Sequence, residues 1–212
     1  MKLIEPYINV DEAILSLDNG GRFYNFFTEA EDGVISQAEI GKIAGLFNDR
    51  QKTVLFFELS ISNLDPAAKA DIISKMDENL QRSYEKYKPQ ELLPSEADSK
   101  GIISSNAIIT GFPILIESKS ELTGFILIPI STGKAMTFIP IPIIDHFDVY
   151  KMKDELSSET FLIAHAKNAE KLPEHKKIKV AGVLKEFKLK KGEAEVDRKY
   201  LEINYFINKE LV

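Results

Sequence analysis

Cysteine is absent from all 212 residues, and that absence excludes disulfides, a thiol nucleophile and a cysteine-ligated metal site together. Stability must come from packing. The hydrophobic content of 44% is enough for a proper core in one large or two small domains. Histidine is scarce too, with three in the whole chain, which leaves few ways to build a catalytic centre. Long hydrophobic runs are missing as well: the longest, residues 124–130, falls far short of the roughly 20 residues a membrane-spanning helix needs. At the N-terminus, Glu5, Asp11 and Glu12 interrupt MKLIEPYINVDEAILSL, so no signal peptide is visible. The expectation is a soluble, cytoplasmic protein with no membrane partner. The phosphate loop, the dinucleotide-binding turn, the hydrolase elbow and the zinc-protease helix motif are also missing. No cofactor is expected.

Positive charge is short overall. A net charge of −6 and a pI near 5.3 argue against a dedicated nucleic-acid binder. The imbalance is uneven: residues 1–100 hold 11 Lys+Arg against 18 Asp+Glu, whereas residues 151–192 hold 11 Lys against 6 Asp+Glu. A local basic stripe therefore survives in an acidic chain.

The first half reads as mostly helical. Ser36-Gln37-Ala38-Glu39 has capping-box spacing, and Ile40, Ile43, Ala44 and Phe47 follow at helical intervals. Residues 53–61 (TVLFFELSI) are apolar on every side, which predicts a central strand. Asp65-Pro66 is a cap followed by proline at the first helical position, and Ile73, Met76, Leu80, Tyr84 and Tyr87 form a stripe over about six turns. Residues 91–100 (ELLPSEADSK) are polar and contain proline, which marks a linker. The domain expectation is a helical lobe over residues 1–98 and a β-rich domain over residues 99–212.

The second half alternates short apolar runs with Gly and Pro, the pattern of an antiparallel β-barrel or a β-sandwich. Residues 136–144 (MTFIPIPII) carry proline at alternate positions. Successive residues in a strand point their N–H groups to opposite edges, so Pro140 and Pro142 lack the donor on the same edge. This segment must be an edge or rim strand. In residues 176–189 the apolar positions run Ile178, Val180, Gly182, Leu184 and then switch parity to Phe187 and Leu189, predicting a bulge near Lys185-Glu186. With its partner Leu201, Ile203, Tyr205 and Ile207 across the loop 190–198, the segment 176–207 resembles part of an OB-type barrel.

Three constellations could carry chemistry. With Gly33 at the sharp turn, residues 28–39 resemble an EF-hand loop in which Gly33, Ile35 and Glu39 match. Thr28 and Ala30 stand where two oxygen ligands belong, however, so the expectation is a capped helix without metal. His146-Phe147-Asp148, with His165 or His175, resembles the H-x-D…H pattern of jelly-roll oxygenases, and His146 and Asp148 would serve a metal-dependent enzyme. The plainer account is a polar strand start. Lys177, Lys179 and Lys185 fall on the face opposite Ile178, Val180 and Leu184, and with Lys176, Lys188, Lys190 and Lys191 they form a basic surface able to meet phosphate. It lacks exposed rings for stacking bases.

Taken together these readings favour a non-enzymatic binding module whose partner is another protein. Nucleic-acid binding at Lys177, Lys179 and Lys185 is the alternative, and a metal enzyme at His146 and Asp148 comes third.

Overall fold

The computed structural model describes residues 1–21, 28–117, 122–131, 136–167, 169–191 and 194–208. The chain divides into two compact units, residues 3–89 and residues 1–2 with 90–212. Its fold is α+β, with N-terminal helices followed by a mixed β-sheet.

The helices of the first unit begin where a side chain can satisfy the free N–H groups of the first turn. After β1 (Lys2–Leu3), α1 (Val10–Leu17) starts at Asn9, whose side chain accepts from the Glu12 N–H. Helix α2 (Gln37–Ala44) carries the full capping box of Ser36 and Glu39, and it ends at Gly45 with φ of 71°, a conformation that glycine adopts without a Cβ penalty. Asp49 caps α3 (Arg50–Ser60), Asp65 caps α4 (Pro66–Ser74) and Asp77 caps α5 (Glu78–Tyr87).

Two sequence expectations fail here, each for a physical reason. Residues 53–61 are not a central strand; they belong to α3, whose Val54, Leu55, Phe56, Phe57 and Leu59 are all buried. A helix buried all round loses its polar face, and with it the 3.6-residue period that would identify it. The six-turn helix is two helices. Between them the Ile35 N–H donates to the Lys75 carbonyl at 2.8 Å and the Asp77 N–H donates to the Ile35 carbonyl at 2.8 Å. This clamp takes Met76 out of the helix to pair beside Ile35.

In the second unit, residues 91–100 are ordered rather than a linker. Strand β2 (Gln90–Leu92) runs parallel to β3 (Asn106–Leu115), and α6 (Pro94–Lys100) lies between them in sequence. There follow β4 (Gly124–Ser131), β5 (Met136–Pro142), α7 (Ile143–His146), β6 (Phe147–Lys153), β7 (Thr160–Ala166), β8 (Ile178–Lys191) and β9 (Ala194–Asn208). The strand order is β1-β9-β7-β6-β3-β8-β4-β5, and β9 also pairs with β8. The sheet is mixed instead of purely antiparallel, because β2 pairs with β3, and β7 with β9, in parallel.

Apolar side chains pack on both faces of this sheet. One core gathers Ala107, Ile109, Tyr150, Met152, Ile163, Val180, Leu184, Leu201 and Ile203; the other gathers Ile116, Ile143, Ile144, Val149, Ala164, Phe187 and Tyr200. Each fully buried Ile, Leu or Phe contributes about 1.5–3 kcal/mol. The two cores explain the parity switch in β8. Leu184 faces one core and Phe187 the other by ordinary alternation, so no bulge at Lys185-Glu186 is required. The register shift lies instead at Ala181 and Gly182, which face Tyr205 and Ile203, so that Asn204 of β9 is the extra residue.

Candidate functional site

The second unit carries a two-stranded ribbon whose strands hold no charge: GFILIPIS in β4 and MTFIPIP in β5. The register sets Phe125 opposite Pro142, Leu127 opposite Pro140 and Pro129 opposite Phe138, alternating with Ile126–Ile141 and Ile128–Ile139. In an antiparallel pair, facing residues either exchange both hydrogen bonds or point both N–H groups outward. Pro140 and Pro142 have no N–H, so the isoleucine pairs carry the ladder and the proline pairs point outward. Pro129 then stands in the outward row of β4. Both edges of the ribbon are blunted by proline, and β5 has no second strand neighbour among the described residues, as its two prolines require.

The ribbon's root is fixed by packing. Strand β4 pairs with β8 at Gly124–Leu189 and Phe125–Lys188. A Cβ on Gly124 would approach the Phe187 ring to 2.7 Å, so glycine alone lets the strands meet there. Phe187 in turn packs edge-on to Tyr200, with ring centroids 6.0 Å apart, and Phe147 meets the same tyrosine at 6.3 Å. Burial, and secondarily the Glu202 carboxylate, pushes the Tyr200 hydroxyl above the ordinary tyrosine range. Beyond the root the ribbon is open to solvent: Met136 is 66% exposed, Phe138 55%, Leu127 43% and Ile139 42%. A groove of about 550 Å³ runs along the root, lined by Leu122, Gly124, Phe125, Leu127, Pro140 and Pro142 together with the charged Lys188 and Glu195. Sequence reading found the edge strand through its prolines but missed this surface. Its signal was available as two adjacent strands with no charge in a chain that is 28% charged.

The basic stripe is occupied by the chain's own acids. Lys177 pairs with Glu155, Lys179 Nζ lies 3.9 Å from Glu91, Lys185 lies 2.5 Å from Glu202 and Lys188 lies 2.9 Å from Asp197. The side chains of Lys190 and Lys191 lie outside the described residues.

The histidines do not converge. His146 ends α7 and is exposed, Asp148 lies in β6 directly across from His165 of β7, and His175 sits in a turn with φ of 58°. The His165 ring is buried against Tyr150 at 5.6 Å, and its Nδ1 shares a 3.0 Å hydrogen bond with the Ala166 carbonyl. Asp145 and Asp148 share a cavity with Lys167 and Lys171 rather than with a histidine. Among the described residues no three His, Asp or Glu side chains group as metal ligands. In the EF-hand-like loop, both Glu39 oxygens are taken by backbone donors, the Gly20 N–H and the Ser36 N–H, each at 2.7 Å. Asp18 accepts from the Gly33 N–H at 2.7 Å and from the Asp32 N–H at 3.2 Å. These carboxylates tie loops together.

No helix among the described residues is long and apolar enough to cross a membrane. No family model matches the chain, and no curated protein matches it. Among solved structures, the N-terminal domain of an archaeal MCM aligns at 12% identity over 94% of this chain and 92% of that one, with a TM-score of 0.37. A superposition that loose carries no argument on fold or function.

Proposed function

We propose that this chain is a non-enzymatic interaction module that docks on protein through the β4–β5 ribbon. The observation that carries the reading is an uncharged ribbon, exposed at Met136, Phe138, Leu127 and Ile139, on a rigid apolar root. Exposed apolar surface gathered in one place marks interaction sites, whereas singly scattered apolar residues need no explanation. The prolines specify how the partner meets it. Neither edge can accept an added strand at the proline positions, so contact is made through side chains on the faces.

The finer architecture of this unit is an OB-type barrel. Strands β3, β6, β7, β9 and β8 pair in a cycle, which in chain order reads 1-2-3-5-4-1 with the third and fifth strands parallel. Such barrels bind oligonucleotides on the face of strands two and three and on the flanking loops. Here Val149 and Ala164 on that face are buried with Ile143 and Ile144 of α7, and Lys177, Lys179, Lys185 and Lys188 face carboxylates. Both features favour protein over nucleic acid as the partner. The chemically capable side chains have structural work that supports a non-enzymatic reading: Glu39 caps, Asp18 ties a loop and His165 packs on Tyr150.

The test is photocrosslinking in cells expressing the full chain, with a benzophenone amino acid in place of Phe138 or, as control, of Leu156, which is 86% exposed on a turn. Discrete protein adducts from position 138 and none from 156 are expected. Equal labelling, or no adduct from the ribbon, overturns the reading.

A further inference from the structure

We infer that the gap between β4 and β8 is a binding site for the main chain of an extended, uncharged peptide segment. The gap lies along the inner edge of β4 rather than on the ribbon's exposed face, so the inference stands whether or not that face docks on protein.

Alternation along β8 fixes which groups open into the gap. The Ser104 N–H donates to the Leu184 carbonyl at 2.8 Å, and the Leu184 N–H donates to the Ser105 carbonyl at 3.0 Å. Two and four residues on, the main-chain groups of Glu186 and Lys188 point to the same edge. Lys188 is met there by Phe125, and the register of β4 with β8 ends at this pair. A continued ladder would set Leu127 opposite Glu186 as its next bonded pair. The strands part instead, and the inward main-chain groups of both residues are left out of the ladder.

The gap opens on a cavity of about 360 Å³ lined by Leu127 and Glu186 and by the rings of Phe147, Phe187 and Tyr200. These rings pack edge-on to one another, which makes a firm apolar lining. The lysines of the cavity are already matched: Lys185 lies 2.5 Å from Glu202 and Lys188 lies 2.9 Å from Asp197. Glu186 is exposed to water. A charged occupant therefore has no waiting partner among the lysines, and an uncharged one breaks no ion pair.

An extended segment suits these walls. Its N–H and C=O groups alternate from side to side, so one residue bonds Leu127 while the next bonds Glu186, parallel to one wall and antiparallel to the other. Strand addition draws its affinity from such main-chain bonds. Leu127 is the inner-edge position between Phe125, which Lys188 already meets, and Pro129, which has no N–H to offer. With so few residues bonded the affinity is low, and half-saturation is expected at about 1 mM.

The probe is acetyl-Thr-Val-Thr methylamide, an uncharged tripeptide of strand-forming residues, titrated into the isotope-labelled full chain to about 10 mM. The Leu127 and Glu186 amide signals should move together and saturate. Both amides should also exchange with solvent about fivefold more slowly at the highest peptide concentration. Leu127→Pro should weaken binding about tenfold by removing one inward N–H. The β4–β5 ladder does not use that N–H and Pro129 already occupies an equivalent position, so circular dichroism should show the fold kept. Leu127→Val retains the N–H and should bind as the parent does. Shifts that do not saturate, unslowed exchange at either amide, or a Leu127→Pro variant that binds like the parent each overturn the inference. The exchange measurement uses the parent chain alone and decides the matter even where the proline variant does not fold. Crosslinking from Phe138 reads the ribbon's exposed face, so failure there and failure here are told apart.

Discussion

Gly182 of β8 lies so close to Glu202 of β9 that a Cβ on it would fall 2.1 Å from the Glu202 carbonyl oxygen. The contact sits where the β8–β9 register shifts between Ala181 and Gly182, and a backbone carbonyl in a ladder cannot swing aside as a side chain can. Gly182→Ala should therefore destabilise the strand-rich unit by about 3 kcal/mol, at the upper end of overpacking costs. Urea unfolding followed by a probe in this unit measures it. A change under about 0.5 kcal/mol would show that the strands part freely at the bulge.

Glu39→Gln replaces a buried carboxylate that accepts two backbone N–H bonds with an amide that has one acceptor oxygen. An N–H group then loses its partner inside the first unit, at an expected cost of about 2 kcal/mol. The cost should be the same with calcium or with a chelator present. A destabilisation seen only with calcium would make the loop at Gly33 a metal site and Glu39 its ligand.

The Asp154 carboxyl is held below the ordinary carboxylate range, first by the Ser95 hydroxyl, then by the Leu156 N–H, with burial opposing both. Ser95 Oγ donates to Oδ2 at 2.6 Å. A depressed folded-state value means the stabilisation is complete above the unfolded value near 3.9 and is lost as pH falls through the lower folded value. Ser95→Ala should cost about 1 kcal/mol at neutral pH, and the gap to the parent protein should close in strong acid. Unfolding curves across pH test this. An equal gap at neutral and acid pH would mean that the hydroxyl acts only by filling space.

Lys177 and Lys179 each face a carboxylate of their own unit, so Lys177→Glu with Lys179→Glu should lower stability by setting acid against Glu155 and Glu91. Fluorescence anisotropy with short single-stranded DNA and RNA should give dissociation constants of about 10⁻⁴ M or weaker near physiological salt, for parent and variant alike. Binding tighter than about 10⁻⁶ M, abolished by the double substitution, would make nucleic acid the ligand.

Restoring the missing donors at the ribbon's edge should be harmful. Pro140→Ala with Pro142→Ala gives β5 a continuous outward row of N–H groups beside exposed apolar side chains, the combination that templates edge-to-edge pairing. Light scattering on storage should rise for the double variant and stay flat for the parent. Equal behaviour of the two would show that the edge is protected by something other than proline.

Features written in local chemistry were legible from sequence. The capping box of Ser36 and Glu39, the Asp65-Pro66 helix start and the unpaired edge at Pro140 and Pro142 each depend on donors and acceptors a few residues apart. What depends on packing from elsewhere in the chain was not. Helix α3 is buried on every side and so has no period. The break at Met76 is set by Ile35, some forty positions earlier. Phe187 changes face because α7 and the root of β4 cover the sheet there, and no window around Phe187 contains them. The ribbon lay between these cases. Its prolines were read strand by strand, but that Pro129 joins them on the opposite edge follows only from the register of β4 with β5.

Strand β9 is synthesised after every strand it pairs with, and among the described residues it joins β7 to β8, meeting β7 in parallel at Ile163–Leu201 and β8 along nearly its whole length. A chain interrupted near residue 190 has β3, β6, β7 and β8 in hand with two strand flanks open and both cores uncovered on one side. Synthesis therefore passes through a stage at which four strands are exposed together until β9 covers the flanks of β7 and β8. A chain cut just ahead of β9 should therefore attract chaperones or proteases, whereas one cut before β3 keeps the compact unit of residues 3–89 and has no sheet to protect.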